Sequence, residues 1–217
     1  MNKEVATITR PRLEARREAF LEAATAAFLE KGYANTTLDD IIARSGGSRQ
    51  TLYALFGGKQ GLFAALVAER SSRIFSSWEE DDDLLGRPPE QALAEVGVRY
   101  LESVTSLDAL GVYRLVVAEC TSMKELAEQF WERGPARSRA VLANYFARQA
   151  ERGTLLLEDP EQAAHQFWGM LLGNLHMQCL LGLRPAPNRT EIEAYVRTAV
   201  ARFLDGCREK NPPPSGH

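Results

Sequence analysis

The stretch Thr37–Phe56, TLDDIIARSGGSRQTLYALF, reads as two short helices joined by a tight glycine turn. Thr37 caps the first helix, and Asp40 three residues on completes a Thr-x-x-Asp capping box while placing negative charge in the first turn. Ile41, Ile42 and Ser45 share a face. Gly46-Gly47 ends the helix, because a chain that turns within three residues needs a positive φ. Ser48 caps the second helix, in which Leu52, Leu55 and Phe56 fall on one side. That leaves Arg49, Gln50, Thr51 and Tyr53 largely outside the apolar stripe. A short helix held on one side and carrying Arg, Gln, Thr and Tyr on the other suits a DNA major groove. Arg and Gln form paired bonds with base edges, and hydroxyls and capped helix ends suit phosphates.

Working outward, a first helix is predicted from Pro11 or Arg12 to Lys31, with Leu21, Ala24 and Phe28 on its buried stripe and Gly32 as its cap. Residues 1–10 read as a loose arm. Arg10, Arg12, Arg16 and Arg17 suit phosphate or minor-groove contact, and equally a solvated helix face. After Gly57-Gly58 a fourth helix begins near Lys59 and runs to about Trp78, with Leu62, Phe63, Leu66 and Val67 inward. A Lys at a helix N-terminus is opposed by the macrodipole, a cost that a DNA phosphate shared with the free amides would offset. The acidic, Pro-containing segment Glu79–Pro89 breaks the helices. Further helices are predicted over about 90–106, 108–120, 124–133, 135–152, 161–182 and 190–207, with breaks that include Gly134-Pro135 and Asp159-Pro160. Thr154–Leu157 allows a brief extended stretch. The tail from Asn211, NPPPSGH, reads as disordered.

The run Gly32-Tyr33, Thr36-Thr37, Asp39, Ile41, Gly46, Ser48, Thr51-Leu52-Tyr53, Phe56, Lys59 and Leu62-Phe63 resembles the DNA-binding domain of the TetR/AcrR family of bacterial transcriptional regulators, over about residues 11–66. Ile42 and Ser45 stand where that family usually has Ala, Gly47 where Val is common, Leu55 where His is frequent, and Gly58 where a Ser cap is frequent. The larger Ile42 and the missing side chain at Gly47 are expected to compensate each other. More weakly, Arg114-Leu115-Val116, Ala118-Glu119, Phe130-Trp131, Gly134-Pro135 and Asp159-Pro160-Glu161 resemble the AefR-like C-terminal subgroup. The resemblance implies an all-α chain: a three-helix head over 1–66 with a linking helix to about 80, and a helical effector-binding and dimerisation body over 67–210. It implies that Arg49 and Gln50 meet bases, that Thr51 and Tyr53 meet bases or phosphates, and that Thr37, Ser48 and Lys59 anchor phosphates of a double-stranded operator. Affinity is then expected to fall steeply with salt.

In the body, residues 161–182 are apolar on more than one face, and a helix of that kind must be covered on nearly all sides. With residues 190–207 it is the expected seam of a homodimer, as in the family. The seam candidates are Phe167, Leu171, Asn174, Gln178, Ile192, Tyr195, Val196, Ala199 and Phe203. An effector pocket is implied by the resemblance alone. Its candidates are Tyr100, Tyr113, Phe130, Trp131, Trp168, His165, Met170 and His176, with Trp78 and Phe167, a lining that suits a lipophilic small molecule. His165 and His176, eleven apart on one helical face, sit about 16 Å apart, too far to share a metal.

Composition agrees with this reading. Net charge is −3, yet residues 1–70 hold ten Lys/Arg against eight Asp/Glu (+2) while residues 71–217 hold sixteen against twenty-one (−5). A mildly basic head on an acidic body suits DNA contact at one end. Three cysteines without a CxxC pair and an N-terminus without an apolar core point to reduced thiols in a cytoplasm. No run approaches about 18 apolar residues, so no membrane contact is expected. There is no HExxH, nucleophile elbow or P-loop; Gly57-Gly58-Lys59-Gln60 lacks the strand and the Ser/Thr of the last. Neither enzymatic activity nor a cofactor is expected. The alternative is a helix-turn-helix protein without a small-molecule effector, controlled by a protein partner or acting architecturally.

Overall fold

The computed structural model describes residues 10–79, 87–121 and 124–207. The expectations for the N-terminal arm before Arg10, most of the acidic segment after Glu79 and the tail from Asn211 fall outside those residues, as does the side chain of Trp78. Among the described residues the fold is all-α: α1 (Arg10–Lys31), α2 (Leu38–Ser45), α3 (Arg49–Phe56), α4 (Lys59–Glu79), α5 (Pro89–Val104), α6 (Leu107–Glu119), α7 (Lys124–Trp131), α8 (Arg137–Glu151), α9 (Pro160–Leu180) and α10 (Arg189–Cys207). These follow the sequence periodicity closely. At Gly134-Pro135, where a break is expected, the chain instead widens into a π-helical turn over Glu132–Ala136. Pro135 lacks the N–H that a regular turn uses. Thr154–Leu157 forms no strand.

The chain forms two compact units. The first comprises residues up to Arg70 together with Gly111–Trp131, and the second Ser71–Leu110 with Glu132 onward. The head therefore includes more than its N-terminal helices, because most of α6 and all of α7 group with it. Its core joins Phe20, Phe28, Tyr33, Ile41, Leu52, Leu62 and Phe63 to Val112 and Val116. The rings of Phe28, Tyr33 and Phe63 contact one another at 5.2–5.8 Å between centroids. Thr36, a buried polar residue, donates its hydroxyl to the carbonyls of Ala27 and Gly32.

In the second unit, α8 lies against α9 and α10 against α5. Phe146, Phe167 and Phe203 meet at 5.2–6.3 Å, and Tyr100 packs against Trp168 at 4.1 Å. Asp159 caps α9, accepting from the amides of Glu161 and Gln162 at 3.0 Å each, with Pro160 at the first turn. Within α9, Gly173 departs from helical geometry (φ 25°, ψ −140°), and the Tyr195 hydroxyl donates to the carbonyl of Met170 at 3.0 Å. The break needs glycine, since φ is positive and an added Cβ would sit 3.2 Å from that hydroxyl.

Candidate nucleic-acid interface

The turn between α2 and α3 is built as its sequence dictates. Thr37 Oγ1 accepts from the Asp40 amide while the Asp40 carboxylate accepts from the Thr37 amide, so the capping box is complete. Gly46 closes α2 with φ 69°. Arg16 reaches in from α1 to donate to the carbonyls of Ser45 and Gly46 at 3.1 Å each, satisfying helix-end acceptors. Ser48 caps α3 through the Thr51 amide, and its hydroxyl lies 2.8 Å from the Thr51 hydroxyl. Gly47 leaves room for one residue in particular. A Cβ there would lie 2.2 Å from the tip of the Phe20 ring, which also meets Phe56 edge-on. Phe20, not Ile42, fills the space of the missing side chain, which corrects the expected compensation.

Outward from this frame, Leu52 is fully buried while Arg49, Gln50 and Tyr53 are exposed and Thr51 is half-buried. Thr37 and Ser48 are exposed at the two capped N-termini. Arg49 does not stand free: its Nη2 lies 2.7 Å from both carboxylate oxygens of Asp39 on α2, which pushes its pKa up through the hydrogen bond and the charge. Lys59 departs from expectation. Its ammonium donates to the carbonyls of Tyr33 and Thr36 at 2.9 and 3.0 Å, and to Ala34 at 3.4 Å. It also sits 4.5 Å from the Tyr33 ring centroid. Burial pushes its pKa down, against the opposing pull of Glu119. The macrodipole cost of a Lys at the start of α4 is offset by these carbonyls within the head, where the side chain is half-buried. Lys31 pairs with Asp40, Arg44 with Glu30, and Arg17 with Glu69.

The pocket candidates fall in both units. Tyr113 and Phe130 form a ring pair in the first unit, and Trp131 is half exposed. In the second unit Tyr100 and Trp168 are in tilted ring contact in the core, Met170 is half-buried, and His165 is exposed. His176 is half-buried, and burial pushes its pKa down. The break at Gly173 lies between the two histidines. The seam candidates also need correction. Phe167, Leu171, Ile192, Val196, Ala199 and Phe203 are buried in the protomer's own core, so a partner cannot cover them. Tyr195 is half-buried, and Asn174 and Gln178 are exposed. Sequence reasoning missed Tyr145 and Gln149, one turn apart on α8. The Tyr145 hydroxyl and the Gln149 amide nitrogen are buried without a hydrogen-bond partner among the described residues. Burial raises the Tyr145 pKa to about 12. Two long polar side chains at i, i+4 on an otherwise apolar face were the available signal.

A capped helix pair whose second member holds to a core with Leu52 and turns Arg, Gln and Tyr outward defines a helix-turn-helix DNA-binding regulator of transcription. Comparison with known proteins narrows the class. Residues 20–66 match the bacterial regulatory proteins of the tetR family. Residues 91–206, just over half the chain, match the C-terminal domain of AefR-like transcriptional repressors. The chain belongs to the TetR family. It is 25% identical over 186 residues to the transcriptional repressor AcnR of Corynebacterium efficiens, covering 86% of this chain and 93% of that one. Among solved structures it resembles a putative TetR-family regulator from Mesorhizobium loti (27% identity, 90% of this chain and 98% of that one, TM-score 0.77). It also resembles the flavonoid-responsive regulator FrrA (28% identity, the same coverages, TM-score 0.71). No single described helix is long and apolar enough to cross a membrane.

Proposed function

We propose that the chain is a homodimeric repressor that reads a palindromic operator through the outer face of α3 and leaves it when a lipophilic small molecule occupies the body. The observation that carries the DNA reading is the division of α3, with Leu52 fully buried and Arg49, Gln50 and Tyr53 in solvent. Arg49 and Gln50 address bases, Thr51 and Tyr53 bases or phosphates, and the capped N-termini at Thr37 and Ser48 phosphates. The exposed outer residues of α9 and α10, among them Gln166, Gly169, Asn174, Met177, Gln178 and Ala201, form the seam. Gly169 and Ala201 permit close helix approach.

The flavonoid response named for FrrA supports a planar aromatic effector. The Tyr145 hydroxyl and Gln149 amide nitrogen, buried without a hydrogen-bond partner among the described residues, supply polar groups for its hydroxyls. The effector acts by binding best to dimers whose heads are wrongly spaced for one duplex, which drains the DNA-competent population.

The test begins with selection of bound duplexes from random DNA. Arg49→Ala with Gln50→Ala is expected to lower affinity for the selected duplex by at least tenfold with the helical signal intact. Unchanged affinity rejects the α3 reading. A flavonoid and lipophilic panel is then titrated against the complex, and release by none of them rejects the effector.

A further inference from the structure

Two polar groups on α8 stand unsatisfied on a helix face whose other polar groups have partners. Ser138, Leu142, Tyr145 and Gln149 follow one another at helical spacing, and all are buried. At the start of this stripe the Ser138 hydroxyl donates to the Pro135 carbonyl at 2.7 Å. The Ser138 carbonyl accepts from the indole nitrogen of Trp168 at 3.2 Å. At its end the Gln149 carbonyl accepts from the Thr154 amide at 3.0 Å. The Tyr145 hydroxyl and the Gln149 amide nitrogen have no such partner among the described residues, although the two residues are only 4% and 2% exposed. Four described side chains carry an atom of this kind, and only these two lie one turn apart on one helix, about 6 Å along its axis.

Both groups have a hydrogen to give. The amide nitrogen only donates, and the phenol keeps its proton, since burial raises the Tyr145 pKa to about 12. That rise also shows how the surroundings treat negative charge. Arg152 pulls the value down and burial outweighs it, so an anion beside the hydroxyl is penalised. The core cluster that holds Tyr145 includes Leu142, Phe146, Leu155 and Phe167, an apolar setting in which an unpaired carboxylate is costly.

We propose that the body selects an uncharged effector that meets Tyr145 and Gln149 with acceptor oxygens, as a ketone or ester does, over the carboxylate of the same skeleton. The inference rests on the effector reading above and narrows it. An uncharged acceptor satisfies the two donors, and a hydrocarbon leaves them as they are. A carboxylate brings acceptors together with a charge that burial resists.

The experiment is calorimetric titration of full-length protein at pH 7.5. The probes are the methyl esters of benzoic, 2-naphthoic and 2-anthroic acids, the free acids, and the sec-butyl arenes of the same outline. In the series that binds, the ester is expected to be at least tenfold tighter than the acid and about five- to tenfold tighter than the hydrocarbon. Tyr145→Phe and Gln149→Leu should each erase most of the ester's lead while leaving hydrocarbon affinity within about twofold. An acid as tight as its ester overturns the proposal, and so does a lead that survives both substitutions. Failure of every compound to bind sinks the effector reading and this inference together, whereas binding with the wrong preference sinks the inference alone. Thermal melts add a readout that needs no ligand. Tyr145→Phe should melt no lower than the wild type, because it removes a buried hydroxyl without a partner; a lower melt would mean that the hydroxyl is already satisfied, against the proposal. Gln149→Met repeats the second substitution with a side chain of similar length.

Discussion

Helices α3 and α9 differ in how their outer faces are specified. In α3, eight residues long, one side is closed by Leu52 and the other presents groups whose chemistry names their partner. In α9, twenty-one residues long, the inner side is closed by Phe167 and Leu171, but the outer side carries glycine, amides and Met177, which permit close approach without naming a partner. A surface that reads hydrogen-bonding patterns needs particular side chains. A surface that mates by shape tolerates many.

The largest effect is expected at the inner face of α9. Phe167→Ala should cost about 3–5 kcal/mol of stability in urea denaturation, whereas Met177→Glu on the outer face should leave protomer stability within about 0.5 kcal/mol and shift sedimentation toward monomer. An unshifted oligomer would remove Met177 from the seam and break the contrast. Next is Gly47→Val, the residue common in the family at that place. It should destabilise the head by about 1–3 kcal/mol, because the Phe20 ring already holds that volume. Phe20→Leu in the same chain should recover part of the loss, read as a rise in melting temperature. Thr37→Ala removes one half of the capping box and should cost about 1 kcal/mol, measured as a lower urea midpoint.

The smallest effect is acid-dependent. Hydrogen bonds from Lys31 and Thr37 hold the Asp40 carboxyl well below its usual range. In the unfolded chain Asp40 takes up its proton near pH 3.8. Its contribution is therefore complete above that pH and is lost as pH falls toward the lower folded value. Asp40→Asn should flatten the drop in urea midpoint between pH 5 and pH 3, and an equally steep drop would exclude Asp40 as a source of acid sensitivity.

Particular residues show why the head was legible and the body less so. Thr37, Asp40, Gly46 and Ser48 act within three or four residues of themselves, so their caps could be read from spacing alone. The helices of the body were legible for the same reason, and Asp159-Pro160 started α9 as written. The contacts of Lys59 were not legible because its partners, the carbonyls of Tyr33, Ala34 and Thr36, are more than twenty residues away. The seam residues were misjudged because a helix apolar on several sides does not reveal which side its own protomer covers. The buried Tyr145 hydroxyl and Gln149 amide nitrogen, without a hydrogen-bond partner among the described residues, became visible only once neighbouring helices had closed over them.

The tethering of the head's cations has a consequence for ion release. Arg16 and Lys59 are tied to backbone carbonyls, and Arg17, Lys31, Arg44 and Arg49 to carboxylates. The four paired with carboxylates have their charge balanced within the protein, so fewer counterions are set free for each basic residue present. A plot of log affinity against log salt should then be shallower than a count of arginines and lysines implies. Much of the binding free energy would have to come from base edges and amides, whose contribution survives at high ionic strength.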